Sequence, residues 1–295
     1  MILAIEETSQ LVALDVCRAP PISQPMKMSD TRPLQRLLSL ASGVFRAPTG
    51  VARIGVAFLY GLICHLTFAA AVLAMIIAMF FGMSESLGRV PAPWAIIANI
   101  FLILQFPLTH SMLLSKRGGG VLAKLAPRTF GPTLATTTYA IIASVQLLAL
   151  FAFWTPSGII WWQAEGTAFA IICGLYAASW LLLIWASYDA GVEVQSGALG
   201  WMSLAQNIKP VFPDMPIKGL FSVIRQPIYV SFALTTWTVP VWTPDQLGLA
   251  IALTAYCLWA PRLKERRFAK RYGAEFGAYK RSVPYAIPRL PRSKT

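Results

Sequence analysis

Charge is what this 295-residue sequence has least of. Only 13% of its residues are Asp, Glu, Lys or Arg, against roughly 25% in soluble domains, which excludes a chain that keeps its whole surface in water. Histidine and cysteine are scarce too, at 2 and 4 residues. Cys17, Cys64, Cys173 and Cys257 show no CxxC and no metal-ligand spacing, so the pattern points to no disulfide framework and no metal centre. Three of these thiols fall inside apolar runs and are expected to be buried core groups. Positive charge is missing where a signal peptide needs it, since Glu6 and Glu7 stand there with no sustained apolar stretch behind them. Residues 1–50 are therefore expected to form a poorly ordered cytoplasmic extension.

What the sequence has is apolar length: 56% of its residues are hydrophobic. Uncharged runs extend over Ile54–Ser84, Ala92–Ser115, Thr129–Ala164 and Gly166–Tyr188, each long enough for the ~20 residues that a membrane-spanning helix needs. Two shorter runs, Gln226–Pro244 and Gln246–Pro261, meet at Pro244 and Asp245 and predict a helical hairpin. The expected fold is thus an all-α integral membrane protein of about six transmembrane helices. Of the 25 Lys and Arg residues, only Arg89 falls on one side of this arrangement, which predicts that both termini face the cytoplasm, in a bacterial inner membrane. The net charge of +13 follows from that topology, and its expected partners are anionic lipid headgroups rather than nucleic acid.

Two cytoplasmic segments stand out. The connection Asp189–Arg225 is long, with Trp201, Met202 and Leu204 expected along the membrane surface and Pro210, Pro213 and Pro216 breaking it into extended pieces. It reads either as a lid or as a plain connector. After the last apolar run, Phe268, Tyr272, Phe276, Tyr279 and Val283 recur at helical spacing with Lys270, Arg271, Lys280 and Arg281 between them. This predicts an amphipathic cytoplasmic helix that bends near Gly273 and ends before Pro284.

Ionisable groups at membrane depth are costly and mark function. They gather with aromatics at Gly219–Ser231 and at Leu263–Phe268, and a hairpin brings Arg225 and Glu265 to one side. His110, ending the second apolar run, is either a substrate-side base or a polar group hydrogen-bonded between helices. His65 reads as structural. Lys116-Arg117-Gly118-Gly119-Gly120 lacks the spacing of a phosphate loop and is expected to be a cytoplasmic turn.

The motifs Arg225-Gln226-Pro227-Ile228-Tyr229-Val230-Ser231, Lys264-Glu265, and Tyr272-Gly273 through Phe276, Tyr279, Val283, Pro284 and Pro288 resemble the isoprenylcysteine carboxyl methyltransferase superfamily. Its pattern is Arg-His-Pro-x-Tyr-x-Gly, a helical hairpin, Glu-Glu, then Phe-Gly-x-x-Tyr-x-x-Tyr-x-x-x-Val-Pro-x-x-x-Pro. Thr109-His110-Ser111-Met112, Thr138-Tyr139 and Trp162–Gly166 resemble the methanethiol S-methyltransferase and NnrU-type branch. The resemblance covers 51–291 and implies a membrane methyltransferase domain with its S-adenosylmethionine site within 219–288.

It further implies that Arg225 pairs with a carboxylate and that Glu265 holds either a cofactor group or Arg225. Gln226, Pro227 and Tyr229 would line the cofactor pocket, and Tyr272, Phe276 and Tyr279 would wall the adenine. The implied acceptor is small or lipid-like, with a thiol such as methanethiol first, a carboxylate or lipid amine next, and a non-catalytic NnrU-like role as the rival. Gln226 stands where the family has His, Ser231 where it has Gly, and Lys264 where it has the first Glu.

Overall fold

The computed structural model describes residues 33–127 and 129–289. In chain order it builds α1 (Pro33–Phe45), α2 (Val51–Phe80), α3 (Trp94–Leu113), α4 (Lys116–Leu125), α5 (Gly131–Ala152) and α6 (Gly166–Asp189). The short helices α7 (Val192–Gln195) and α8 (Ala198–Gln206) and a 3-10 turn at Gly219–Ser222 lead to α9 (Pro227–Trp237) and α10 (Pro244–Ser282). Strands β1 (Trp162–Gln163) and β2 (Val241–Trp242) form an antiparallel clasp that pairs Trp162 with Trp242 and Gln163 with Val241. Helices α2, α3, α5 and α6 are long and apolar enough to cross a membrane, the expected solution where no water is available to satisfy backbone groups.

Helix α5 is the centre of the bundle, with 72% of its apolar window buried against 17% to 28% for the other three. Its small residues Thr136, Thr137, Ala140, Ala143 and Ser144 are buried, as are Ala57, Gly61, Cys64 and Ala71 on the facing side of α2. Small side chains let the two backbones approach closely, which is how helices associate in lipid. The outer helices instead expose Ile96, Phe101, Leu108, Leu181 and Ile184, the face a bilayer would cover.

Polar ties gather at the two ends. At one, Asn99 Nδ2 donates to the Thr155 carbonyl at 2.8 Å and Thr155 N donates to Asn99 Oδ1 at 2.9 Å. Trp154 Nε1 donates to Asp245 Oδ1 at 3.0 Å, and Thr243 Oγ1 donates to the Gly82 carbonyl. At the other, Arg36 Nε meets Glu193 Oε1 at 3.0 Å and Leu220 N donates to Asp189 Oδ2 at 2.8 Å. The α9–α10 turn sits at the first end and Arg225 at the second, so the hairpin runs between the same two ends as the long helices. An 11-residue α9 is only about 16 Å long, and a non-helical segment from Thr238 to Thr243, containing β2, links it to α10.

Three local expectations are corrected. Trp201 and Leu204 are buried in the bundle rather than lying along its surface, because α2 and α5 provide a slot for α8. Trp201 Nε1 donates to His65 Nε2 at 3.1 Å, Trp201 N donates to Thr137 Oγ1 at 2.9 Å, and a side chain at Gly61 would meet the indole. Lys116–Gly120 is the first turn of α4 rather than a loop, with Ser115 Oγ accepting from Gly118 N at 3.1 Å as its N-cap. Within the N-terminal arm, Pro33–Phe45 is a helix tied to α7 through Arg36; Cys17 lies outside the described residues. Cys64 and Cys257 are buried free thiols as expected, while Cys173 is half-buried.

Helix α10 breaks at Gly273, whose φ of 49° and ψ of −115° form a conformation that side chains disfavour. The bend turns Phe276 back toward Phe268, with ring centroids 6.0 Å apart. Gly273→Ala is expected to cost about 1–3 kcal/mol and to loosen the segment beyond it, read as faster limited proteolysis after residue 273.

Candidate functional site

The site is built where the hairpin closes. Pro227 starts α9 at a position where its missing N–H is no loss, and Arg225 and Gln226 precede it in a non-helical bend. Their backbone N–H groups donate to the carbonyls of Pro284 at 2.9 Å and Tyr285 at 3.1 Å. The chain beyond α10 thus folds back across the mouth of the hairpin. This backbone pairing fixes where both side chains point.

Arg225 is the hub. Its Nε donates to Glu265 Oε1 at 2.8 Å, and its Nη1 donates to the carbonyls of Val283 at 2.6 Å and Lys280 at 3.1 Å. The Tyr285 ring lies 5.5 Å from the guanidinium carbon. Gln226 Nε2 donates to the same Glu265 oxygen at 2.9 Å, while Gln226 Oε1 is buried with no partner. Arg225, Gln226 and Glu265 are all buried, with exposures of 8%, 2% and 9%. An ion pair this dry is stable only when its remaining polar atoms are also bonded, and the two backbone carbonyls meet that need at Nη1 of the arginine while Nη2 is left over among the described residues.

Lys264, beside Glu265, is buried as well. Its Nζ lies 5.8 Å from the ring centroid of Phe221, 5.6 Å from Tyr229 and 5.7 Å from Phe268. Burial is the main reason its amine is pushed down to about 7; Glu265 opposes the shift, and Arg267 and Arg225 add to it. The Tyr279 hydroxyl donates to the Phe221 carbonyl at 2.7 Å, and burial raises its phenol.

Together these groups line a small, partly open cavity bounded by Pro216, Phe221, Arg225, Gln226, Lys264, Glu265, Phe268, Phe276 and Tyr279, with about 10 Å³ of room, enough for about one water. Of the residues singled out from sequence, Arg225, Gln226, Glu265, Phe276 and Tyr279 meet here. Tyr229 reaches the site through Lys264, and Pro227 is buried just behind it. Tyr272 packs on Phe268 with centroids 5.6 Å apart but does not line the cavity. Ser231 turns its hydroxyl back to the Pro227 carbonyl at 2.7 Å, so its polar atom is absorbed within α9.

His110 is not at this cavity. It is buried between α3 and α5, with a ring nitrogen 2.6 Å from the Tyr139 hydroxyl, and it packs on Phe106, which in turn meets Tyr256 of α10. Sequence reasoning missed Lys264, Phe221, Phe268 and Pro216 as lining groups. A lysine four residues before a phenylalanine on one helix was the available signal. Asp189–Arg225 does contribute cover, since Pro216 and Phe221 come from it and Met215 packs with Phe268 and Phe276.

The chain is 28% identical over 196 residues to methanethiol S-methyltransferase 2 of Bradyrhizobium diazoefficiens, covering 66% of this chain and 74% of that one. It is 26% identical over 236 residues to a methanethiol S-methyltransferase of Crocosphaera subtropica, covering 78% and 91%. Nurim of Xenopus laevis is 25% identical over 213 residues, covering 65% and 73%. The similarity to the methanethiol branch therefore extends over most of the chain. No family model matches it, and no solved structure matches it significantly.

Proposed function

We infer that the chain is a membrane methyltransferase that holds S-adenosylmethionine at the Arg225–Glu265 cavity and methylates a small or membrane-partitioned acceptor, a thiol such as methanethiol first. The methyl transfer itself accords with the similar enzymes named above. The observation that carries the site is the buried cluster in which Glu265 joins Arg225 and Gln226 while Gln226 Oε1 stays unpartnered. A buried acceptor without a donor is costly, and a ligand N–H or O–H would satisfy it. At about 10 Å³ the cavity holds little more than one water and lies far below the roughly 300–1,000 Å³ usual for ligand sites. Cofactor entry therefore displaces Pro216 and the chain before it while Phe221 stays, which gives 210–218 the role of a lid.

The fit is chemical. Nη2 of Arg225 carries no bond among the described residues, leaving a planar donor for a carboxylate. Gln226 Oε1 is placed to accept from an ammonium or ribose hydroxyl, and Phe276 and Tyr279 offer an apolar wall for a purine. The cofactor, when bound, supplies an electrophilic methyl on a sulfonium. The protein's part is to hold the acceptor in line and keep water out. His110 and Tyr139, at the same end of the bundle as the cavity, are the candidate groups for orienting the acceptor.

The six-crossing topology belongs to this reading, with the α9–α10 hairpin embedded beside the four long helices, the basic end cytoplasmic and the membrane a bacterial inner one. So does the division into an N-terminal arm over 1–50 and a methyltransferase domain over 51–291.

The experiment is direct. Purified protein given S-adenosylmethionine and methanethiol is expected to release dimethyl sulfide into the headspace. No product with methanethiol, but product with a prenylated carboxylate or a phospholipid amine, would move the acceptor and keep the site. No transfer to any of the three would favour the non-catalytic NnrU-like reading, to which the substitutions Gln226, Ser231 and Lys264 lend some support.

A further inference from the structure

We propose that the three rings around Lys264 are the seat of the cofactor's sulfonium, and that cofactor binding drives one proton off Lys264. This rests on the reading of the cavity as an S-adenosylmethionine site and adds to it a role for a residue that departs from the family pattern.

The rings come from three separate segments: Phe221 from the 3-10 turn, Tyr229 from α9 and Phe268 from α10. They converge on one buried cation at 5.6–5.8 Å, the range in which a ring face attracts positive charge. A sulfonium carries the same charge as an ammonium and fewer options for hydrogen bonding, so an aromatic seat suits it. Among the described residues the Lys264 ammonium makes no hydrogen bond or ion pair. Three rings face it and Glu265 attracts it without bonding it, so another cation can replace it there.

Two cations cannot share the seat. In a dry cavity like charges a few ångströms apart disfavour each other strongly, and no spare anion is at hand. Glu265, the one carboxylate acting on Lys264 among the described residues, is bonded to Arg225 and Gln226. The other charged groups that act on the amine are Arg225 and Arg267, both positive. The remaining titratable neighbours, Tyr229, Tyr279 and Tyr285, are phenols that stay neutral. Loss of the proton to solvent is the simplest relief, and the neutral amine on its flexible stem then withdraws from the rings. Since burial already brings this amine to about 7, the proton is lost readily near neutral pH.

The sign follows. Below about pH 7 Lys264 is charged, so the cofactor must expel a proton and its apparent affinity falls; above it the amine is already neutral and affinity levels off. Titration calorimetry of S-adenosylmethionine into the full-length protein in detergent, in buffers of different ionisation heat, counts the protons. The expected release approaches one proton well below pH 7 and falls away above it, with affinity about tenfold weaker at pH 6 than at pH 8. Lys264→Met should lose both effects, and comparison with it cancels any titration of the cofactor's own amino group. Lys264→Arg, charged at every pH, should bind at least about tenfold more weakly than the wild type at pH 8. Thermal unfolding of each variant checks that it is folded.

Equal proton release by the wild type and Lys264→Met, or undiminished binding by Lys264→Arg, would overturn the proposal while leaving the cofactor site intact. Absence of any wild-type binding would remove the cofactor reading and this proposal together.

Discussion

Glu265→Ala is expected to be the most damaging single substitution in the cavity, lowering stability by about 3–5 kcal/mol and abolishing S-adenosylmethionine binding. The carboxylate accepts from both Arg225 and Gln226 at 2.8 and 2.9 Å, and among the described residues it is the only anion bonded to them. Its removal leaves a buried guanidinium, a buried amide and the neighbouring Lys264 ammonium with no negative charge among them. The cost of an orphaned buried charge exceeds the net worth of the pair it came from, which is why truncation is harsher here than at a surface bridge. Equilibrium unfolding in mixed detergent reads the stability loss. A change below about 1 kcal/mol, the size of a surface pair, would mean that water reaches Arg225 and that the cavity is not dry.

Arg225→Lys is expected to keep the charge and lose the geometry. The guanidinium bonds Glu265, Val283 and Lys280 at once, through Nε and Nη1. A lysine amine is a point charge on a flexible stem and does not span those three directions while leaving a planar face for a ligand carboxylate. Loss of two hydrogen bonds predicts about 1–3 kcal/mol of destabilisation and a fall in cofactor affinity of about tenfold or more. The same change releases the chain beyond α10 from the hairpin mouth, so proteolysis near Val283 should accelerate. Affinity equal to wild type would show that Arg225 is a structural clamp alone.

These two residues also mark how far the sequence could be read. Charge-free runs located the long helices because bilayer thickness sets their length, and Pro244 with Asp245 marked the hairpin because proline and an acidic residue both favour the first turn of a helix, where α10 begins. The meeting of Arg225 and Glu265 followed from that hairpin without any knowledge of packing. The bend at Gly273 and the stop before Pro284 were legible for the same local reasons. The docking of α8 was not, because Trp201 and Leu204 look alike whether they face lipid or a slot whose shape depends on Gly61, His65 and Thr137, far away in the chain. Nor was the pairing of Arg225 and Gln226 with Pro284 and Tyr285, since backbone hydrogen bonds leave no mark on residue type. Lys264 looked like a reversed charge in a family motif; only the convergence of Phe221, Tyr229 and Phe268 shows an ammonium resting where aromatic faces gather.

The central claim is that one buried guanidinium and one buried carboxylate, brought together by the last helical hairpin, hold S-adenosylmethionine. Equilibrium binding of the radiolabelled cofactor to protein in lipid nanodiscs, wild type beside Arg225→Lys and Glu265→Ala, tests it most directly. One saturable site per chain, weakened about tenfold or more by the first substitution and lost with the second, is the predicted result. Wild-type protein that binds no cofactor, or variants that bind it as tightly as wild type, would contradict the account.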